Sequence, residues 1–296
     1  MPASFRKSAL PVVFGRQCFE VKLMTIHIFD EGCFPPDTAV ADDYARHVRL
    51  GYEVLKEKRL VFTGLARDVE PILPATIARL QHSATFCRDY RVVVYENDSK
   101  DRTKALLESW QSSDPKVHVI SEVRRDPVNQ QIRCLDRATR MAYYRNRCRA
   151  YLLEHFPEFD NVIVLDTDLR GGWSYDGLAH TFSLDGTWDF VGSNGIMFKP
   201  YKGNAAYPMQ FDVWAWRWLG SYTPCAAFKI NPRVWPRGSK LEPLNSCFGG
   251  LGVYTVDALT NSSYDGSDCE HVPLHKKMRA NGRGRIYMNP SQITVY

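Results

Sequence analysis

What the chain lacks narrows its class first. Among its 296 residues no window holds the roughly 18 consecutive apolar residues that a membrane span needs, so no transmembrane segment is expected. The opening stretch MPASFRKSALPVVFG has too short an apolar core to read as a signal peptide. Surplus charge is small: 38 Lys and Arg stand against 33 Asp and Glu, a net +5, which does not make nucleic acid the expected partner. The eight cysteines contain no C-x-x-C pair, which argues against a zinc ribbon or dithiol redox site and for mostly reduced, buried thiols. Internal repeats and low-complexity tracts are also missing. Of two glycosylation-type triplets, at Asn97 and Asn261, the first falls inside a chemically loaded turn, so secretion gains little support. A cytoplasmic location is expected, with a lumenal Golgi-type fragment as the alternative.

What is present is a globular composition, 44% hydrophobic and 24% charged, with enough chain for a substantial core. Pro11, Gly15, Gly32, Pro35 and Pro36 break the start into short apolar pieces; a helix is expected near 40–58, and residues 1–58 read as an N-terminal extension. Thereafter β-branched runs alternate with helical stretches. RLVFTG (59–64) precedes a helix over 70–81, RVVVYE (91–96) a helix over 102–111, and KVHVIS (116–121) is a further strand; a helix over 137–155 leads into NVIVLD (161–166). This alternation predicts an α/β layer with a largely parallel sheet, whose ligands bind beyond the carboxyl ends of the strands. Six of the seven tryptophans, Trp173, Trp188, Trp214, Trp216, Trp218 and Trp235, fall between 173 and 235. Residues 171–296 therefore read as a second half with aromatic walls beside a first half over 59–170, although six tryptophans exceed what one site needs and several belong to the core.

The chemistry concentrates in a few stretches. NVIVLDTDL leaves Asp166, Thr167 and Asp168 at the end of an apolar strand. Two carboxylates one residue apart, where side chains are released into a loop, can share a divalent cation directly or through water; an acidic turn without a ligand is the plain alternative. Two chemistries compete for the pattern, a haloacid-dehalogenase-type phosphatase with Asp166 as nucleophile and a pair of carboxylates holding a metal on a diphosphate. Upstream, RVVVYENDSKDRTKALLESW reads as strand, polar turn and helix, with Glu96, Asn97, Asp98, Ser99, Asp101 and Thr103 at the crossing. Carboxylates there can accept hydrogen bonds from an imide N–H or ribose hydroxyls, whereas a merely well-capped turn would use Ser99, Asp101 and Thr103. On the helix over 137–153, Arg145 shares the apolar sector of Ala138, Met141, Ala142, Cys148 and Leu152. A guanidinium on a core-facing stripe needs an anion, from a ligand or from a carboxylate at the sheet edge. Late in the chain, Gly249 and Gly250 stand before an apolar strand, as expected where backbone passes close to a ligand, and SDCEHVPLHKKM gathers Asp268, Glu270, His271 and His275, with Pro273 arguing against a clean helix.

GLARD, YENDSKDRT, RMAYYRNR and VLDTDL, in this order over about 60–170, resemble a GT-A glycosyltransferase, and the acidic turn resembles that of glycosyltransferase family 2. More narrowly, YENDSKDRT, RMAYYRN, FDVWAWR, FGGLGVY and DCEH resemble the fungal capsule-associated α-1,3-mannosyltransferase family over most of the chain beyond 60. That family has Asn-Asp-Val at the metal strand where this chain has Asp-Thr-Asp, so its sugar and stereochemistry are not carried over. The resemblance implies a Rossmann-like, mostly parallel sheet flanked by helices over 59–296. It implies a nucleotide held by Ala66, Arg67, Asp68, Glu96, Asn97 and Asp98, with Arg145 and Asn146 on the donor phosphates, Asp166 and Thr167 beside them, and Gly249 and Gly250 close by. Mn2+ or Mg2+ would sit on Asp168 and Asp166, completed by one of His271 and His275. Glu270 or Asp268 would act on the acceptor or the sugar, and Asp212 would face them. The implied reaction moves a sugar from a GDP- or UDP-sugar to a hydroxyl, on a glycan or another acceptor, with inversion and retention both open. A carbohydrate-binding protein without turnover would need a broken metal site, yet Asp166, Asp168 and Arg145 are all present.

Overall fold

The apolar runs become strands because both faces of the sheet are covered. In the computed structural model, which describes residues 29–128, 133–200, 206–231, 233 and 235–296, strands β1 (Arg59–Ala66), β2 (Asp89–Asn97), β3 (Val117–Glu122) and β4 (Asn161–Asp166) lie parallel in the order β3-β2-β1-β4. The first 28 residues of the expected extension lie outside the described residues. Val61, Val93, Val162 and Val164 enter one core, while Leu60, Phe62, Val92, Val94, Ile163 and Leu165 enter the other. That is the period of two expected of a strand buried on both sides, and each fully buried side chain of this size contributes about 1.5–3 kcal/mol.

Helices α1 (Ala41–Leu55), α2 (Leu73–Ala84) and α3 (Thr103–Ser113) cover one face, and α4 (Leu135–His155) the other. Helix α1 lies backbone to backbone against α5 (Tyr175–Phe182), since a Cβ on Gly51 would stand 1.7 Å from the Ala179 carbonyl oxygen. The second helix starts at Leu73 rather than 70 because the chain before it is pinned elsewhere: Val69 N donates to Thr103 Oγ1 and Glu70 N to Asp101 Oδ2. These bonds tie the first βα turn to the second before α2 can begin.

The sheet continues past β4 as β10 (Leu251–Thr255), β6 (Phe190–Pro200), β11 (Ile286–Val295), β9 (Glu242–Ser246) and β8 (Arg217–Trp218), with β5 (Gly172–Trp173) on β11 and β7 (Ala206–Gln210) on β6. Strand β10 is antiparallel to both β4 and β6, whereas β6 and β11 run parallel. The remaining helices are α6 (Ala227–Ile230), α7 (Val256–Thr260) and α8 (His271–Ala280), the last formed despite Pro273, which occupies its first turn where no intrahelical N–H is lost. Trp173, Trp188 and Trp216 are buried, and Trp214, Trp218 and Trp235 pack half-buried against the core, so the aromatic half is mostly core. Cys87, Cys134, Cys148, Cys225, Cys247 and Cys269 are free thiols. No helix among the described residues is long and apolar enough to cross a membrane.

Candidate active site

Strands β1 and β4 end side by side, Leu65 against Asp166, so the turns that follow them open beyond the same edge of the sheet. A cleft of about 590 Å³ lies there. Ala66, Arg67, Asp68 and Asn97 line one end, Arg145, Asp166, Thr167 and Asp168 the floor, and Asp212, Phe248, Glu270, His271 and Tyr296 the far side. Residues separated by more than two hundred positions thus face one cavity.

The floor is a dense set of charges. Arg145, buried on α4, donates from Nε to Glu270 Oε1 at 3.0 Å and from Nη2 to Asp166 Oδ1 at 3.2 Å, and its guanidinium carbon stands 5.0 Å over the Phe248 ring. Its Nη1 is buried with no hydrogen-bond partner. Burial opposes the charge, but Glu270 and Asp166 hold this guanidinium more firmly protonated than usual. Asp166 is pushed up to about 7, first by burial and then by Asp168, Asp212 and Glu270, against the pull of Arg145. Asp212 also rises to about 7, through burial and the charge of Glu270. It sits at a positive φ of 62°, sparse territory for any residue but glycine, and accepts a hydrogen bond from Gly249 N at 3.3 Å. Asp168 accepts from the Tyr296 hydroxyl at 2.6 Å, and the Tyr296 ring stacks on Phe211 with centroids 3.6 Å apart. Thr167 Oγ1 donates to the Leu65 carbonyl, which locks the two strand ends together.

Several expected ligand-binding residues turn out to be spent on the protein itself. Glu96 accepts from Ser99 N and Ser121 Oγ and does not reach the cleft. Asp98, at φ 55°, accepts from the backbone N–H groups of Arg124, Arg125 and Asp126. Despite partial burial, these bonds and the one from Asn97 hold its carboxyl down at about 2. Asn146 exchanges two bonds with the backbone of Tyr264, at 2.9 and 3.0 Å, and pins that loop instead of facing a phosphate. Asp268 accepts from the buried Arg217 at 2.6 and 2.7 Å and from Cys269 N at 2.7 Å. His275 has both ring nitrogens occupied, by Ser246 Oγ and the Tyr254 hydroxyl, and burial lowers it to about 3; it is a core histidine. Gly249 and Gly250 approach protein, not cleft: a Cβ on Gly249 would stand 2.2 Å from the Ser193 carbonyl, and the Gly250 carbonyl accepts from Asp166 N at 2.8 Å. The glycine turn therefore props up the end of β4.

Tyr296 and Tyr144 were not among the expected site residues, although Tyr144 lies within RMAYYRNR. Tyr144 lines the cleft, stacks on Tyr95 with centroids 4.9 Å apart and donates to Asp126. Both depend on contacts between distant segments, which leave no local pattern.

Among the described residues no three His, Cys, Asp or Glu side chains are gathered closely enough to cage a metal ion. The donors are nonetheless suited to a hard divalent cation that keeps substrate oxygens and water in its shell, which needs only one or two protein carboxylates. Asp166 and Asp168 supply oxygens. His271 supplies a buried Nε2 with no hydrogen-bond partner, 3.7 Å from Glu270 Oε1, and burial together with Arg145 keeps its imidazole neutral, the form that ligates.

The family model of Glycosyl transferase family 2 matches residues 66–140, a span that runs from the end of β1 into α4. No curated protein matches the chain in sequence. In fold it is similar to a mannosyltransferase from Pyrobaculum calidifontis in complex with GDP-Man and Mn2+, at 14% identity and a TM-score of 0.51, covering 87% of this chain and 66% of that one. It is also similar to TarS of S. aureus, at 12% identity and a TM-score of 0.45, covering 80% and 59%. The chain thus spans less than two thirds of the length of these two solved structures. Its fold is the GT-A fold.

Proposed function

We propose that this chain is a nucleotide-sugar glycosyltransferase, a reading that the family match and the fold support, and that it moves a sugar from a GDP- or UDP-sugar to a hydroxyl of a glycan acceptor with the help of Mn2+ or Mg2+. One observation carries the reading: Asp166 at the end of β4 and Asp168 two residues on share a cleft with the buried Arg145, and the turn 66–68 lines its other end. The base and ribose occupy that turn, between Arg67 and Tyr144. Asp168 and Asp166 would hold the cation, and the unpartnered Nε2 of His271 would be the nitrogen to close on it once it binds. Bound there, the cation supplies Lewis acidity to the diphosphate leaving group.

Arg145 then acts without rearrangement, since Glu270 and Asp166 already fix its plane; its positive charge offsets the charge that develops on the diphosphate as the glycosidic C–O bond breaks. Asp212 takes the proton from the acceptor hydroxyl as the new C–O bond forms, which gives inversion at the anomeric carbon. A carboxyl poised near neutrality is suited to that transfer, and Asp212, held by the backbone N–H groups of Gly249 and Ala215, has no guanidinium bonded to it as Glu270 has. The phosphatase alternative, with Asp166 as nucleophile, gains no support from the family match over residues 66–140, which is to Glycosyl transferase family 2.

The test is a screen of nucleotide sugars for release of nucleoside diphosphate with and without Mn2+, backed by melting curves with each nucleoside diphosphate. Release that needs the metal and ceases with EDTA is expected. Metal-independent turnover, or none with any GDP- or UDP-sugar, overturns the reading.

A further inference from the structure

The cleft is charged oppositely at its depth and at its wall. Asp166, Asp168, Asp212 and Glu270 line the cleft with Arg145, while Arg133 and Arg137 at the start of α4 and Lys199 near the end of β6 line its outer wall. None of these three cations takes part in an ion pair among the described residues. Arg137 stacks its guanidinium over the Trp214 ring at 5.6 Å, and its Nε is buried without a partner. Stacking on an indole fixes the plane of the guanidinium and leaves its N–H groups for an anion. Arg137 precedes Arg145 by eight residues of one helix, a rise of about 12 Å, so both cannot serve the same phosphate. The donor's diphosphate already has Arg145 and a divalent cation. The same cleft is lined by Met197, Met209 and Trp214 beside Asn231, an apolar surface with an amide at its edge, suited to the C–H face and hydroxyls of a pyranose.

We propose that the acceptor is an acidic sugar, carrying a phosphate, sulfate or carboxylate group held by Arg137 with Arg133 and Lys199. This rests on the reading that the floor takes the donor. The charged wall selects the acceptor, and the carboxylate floor repels the same anion from the donor position.

The experiment loads the protein with Mn2+ and a nucleoside diphosphate, so that the floor is filled, and titrates in glucose 6-phosphate, glucuronate and glucose by calorimetry. Either acidic sugar is expected to bind roughly tenfold or more tightly than glucose, with the difference shrinking as ionic strength rises. In the variant Arg137→Gln with Lys199→Gln that preference should fall to about twofold or less while nucleoside diphosphate affinity stays as in the wild type. Equal affinities for all three sugars, no binding of either acidic sugar, or a variant that weakens the nucleotide and keeps the preference overturns the inference. If nucleoside diphosphate fails to bind the wild type, the donor reading has failed instead, and the same sugars titrated into the nucleotide-free protein still read the wall.

Discussion

Aspartates stand beyond the parallel strands that flank β1, after β2 and at the end of β4, and their fates are opposite. Asp98 is saturated by three backbone N–H groups and held at about 2. Asp166 and Asp212 are pushed up to about 7 by burial and by the carboxylates around them, against fewer compensating donors than Asp98 has. A carboxylate whose lone pairs are filled by its own backbone shapes a turn; one surrounded by unneutralised charge awaits a cation, a proton or a substrate. Residue type does not tell these apart. Supply of donors does.

The largest effect expected from this contrast is at Asp168. Asp168→Asn removes a ligand and a charge from the underneutralised end and should lower metal-dependent transfer by about 10³-fold or more, with an unchanged circular dichroism spectrum because the side chain lies in a loop. Tyr296 would lose only a stronger acceptor. Turnover close to wild type with metal still required would separate the β4 carboxylates from the chemistry.

Asp212→Asn should come next, cutting turnover by about 10²-fold while nucleoside diphosphate affinity holds. A fall in nucleotide affinity equal to the fall in turnover would make Asp212 a donor-binding residue and leave the base unassigned. Product stereochemistry by NMR sharpens the same point, since inversion is expected.

The saturated end should respond in stability and not in turnover. Asp98→Ala strands three N–H groups that the carboxylate now accepts from and should cost about 1–3 kcal/mol, seen as a lower midpoint in urea. Asp98→Asn, which tolerates the left-handed backbone, should lose less. Neither should alter kcat by more than about twofold, whereas a hundredfold loss in either would move Asp98 into the chemistry and dissolve the contrast.

How much of this could be read beforehand follows the same line. The parallel strands were legible because Val92, Val93 and Val94, like Val162, Ile163 and Val164, are unbroken β-branched runs that bury on both faces. Arg145 was legible because a guanidinium on an apolar stripe has to find an anion; that it would find Glu270, 125 residues away, was not. Asp268 looked catalytic because its partner Arg217 lies 51 residues upstream, and Glu96 looked ligand-binding because Ser121 on the next strand was invisible to a local pattern. Helix α2 began later than its periodicity suggested for the same reason, a tertiary bond to Asp101.

The smallest expected effect, and the cleanest separation, concerns two histidines one helical turn apart. His271 has a free, buried Nε2 facing Glu270 at the cleft, while both nitrogens of His275 are bound in the core. His271→Gln should raise the Mn2+ concentration for half-maximal activity by roughly tenfold; His275→Gln should leave it unchanged and lower stability by about 1–2 kcal/mol. The core histidine also carries a pH signature of known sign. Its folded pKa of about 3 lies below the unfolded value near 6.5, so the unfolded chain takes up the proton first. Its contribution is therefore complete above about pH 6.5 and is lost progressively as pH falls toward 3. Urea midpoints should fall less steeply over that range in His275→Gln than in the wild type. Parallel declines would show that His275 is not the neutral group the core demands, and a shifted Mn2+ requirement in His275→Gln would return it to the metal.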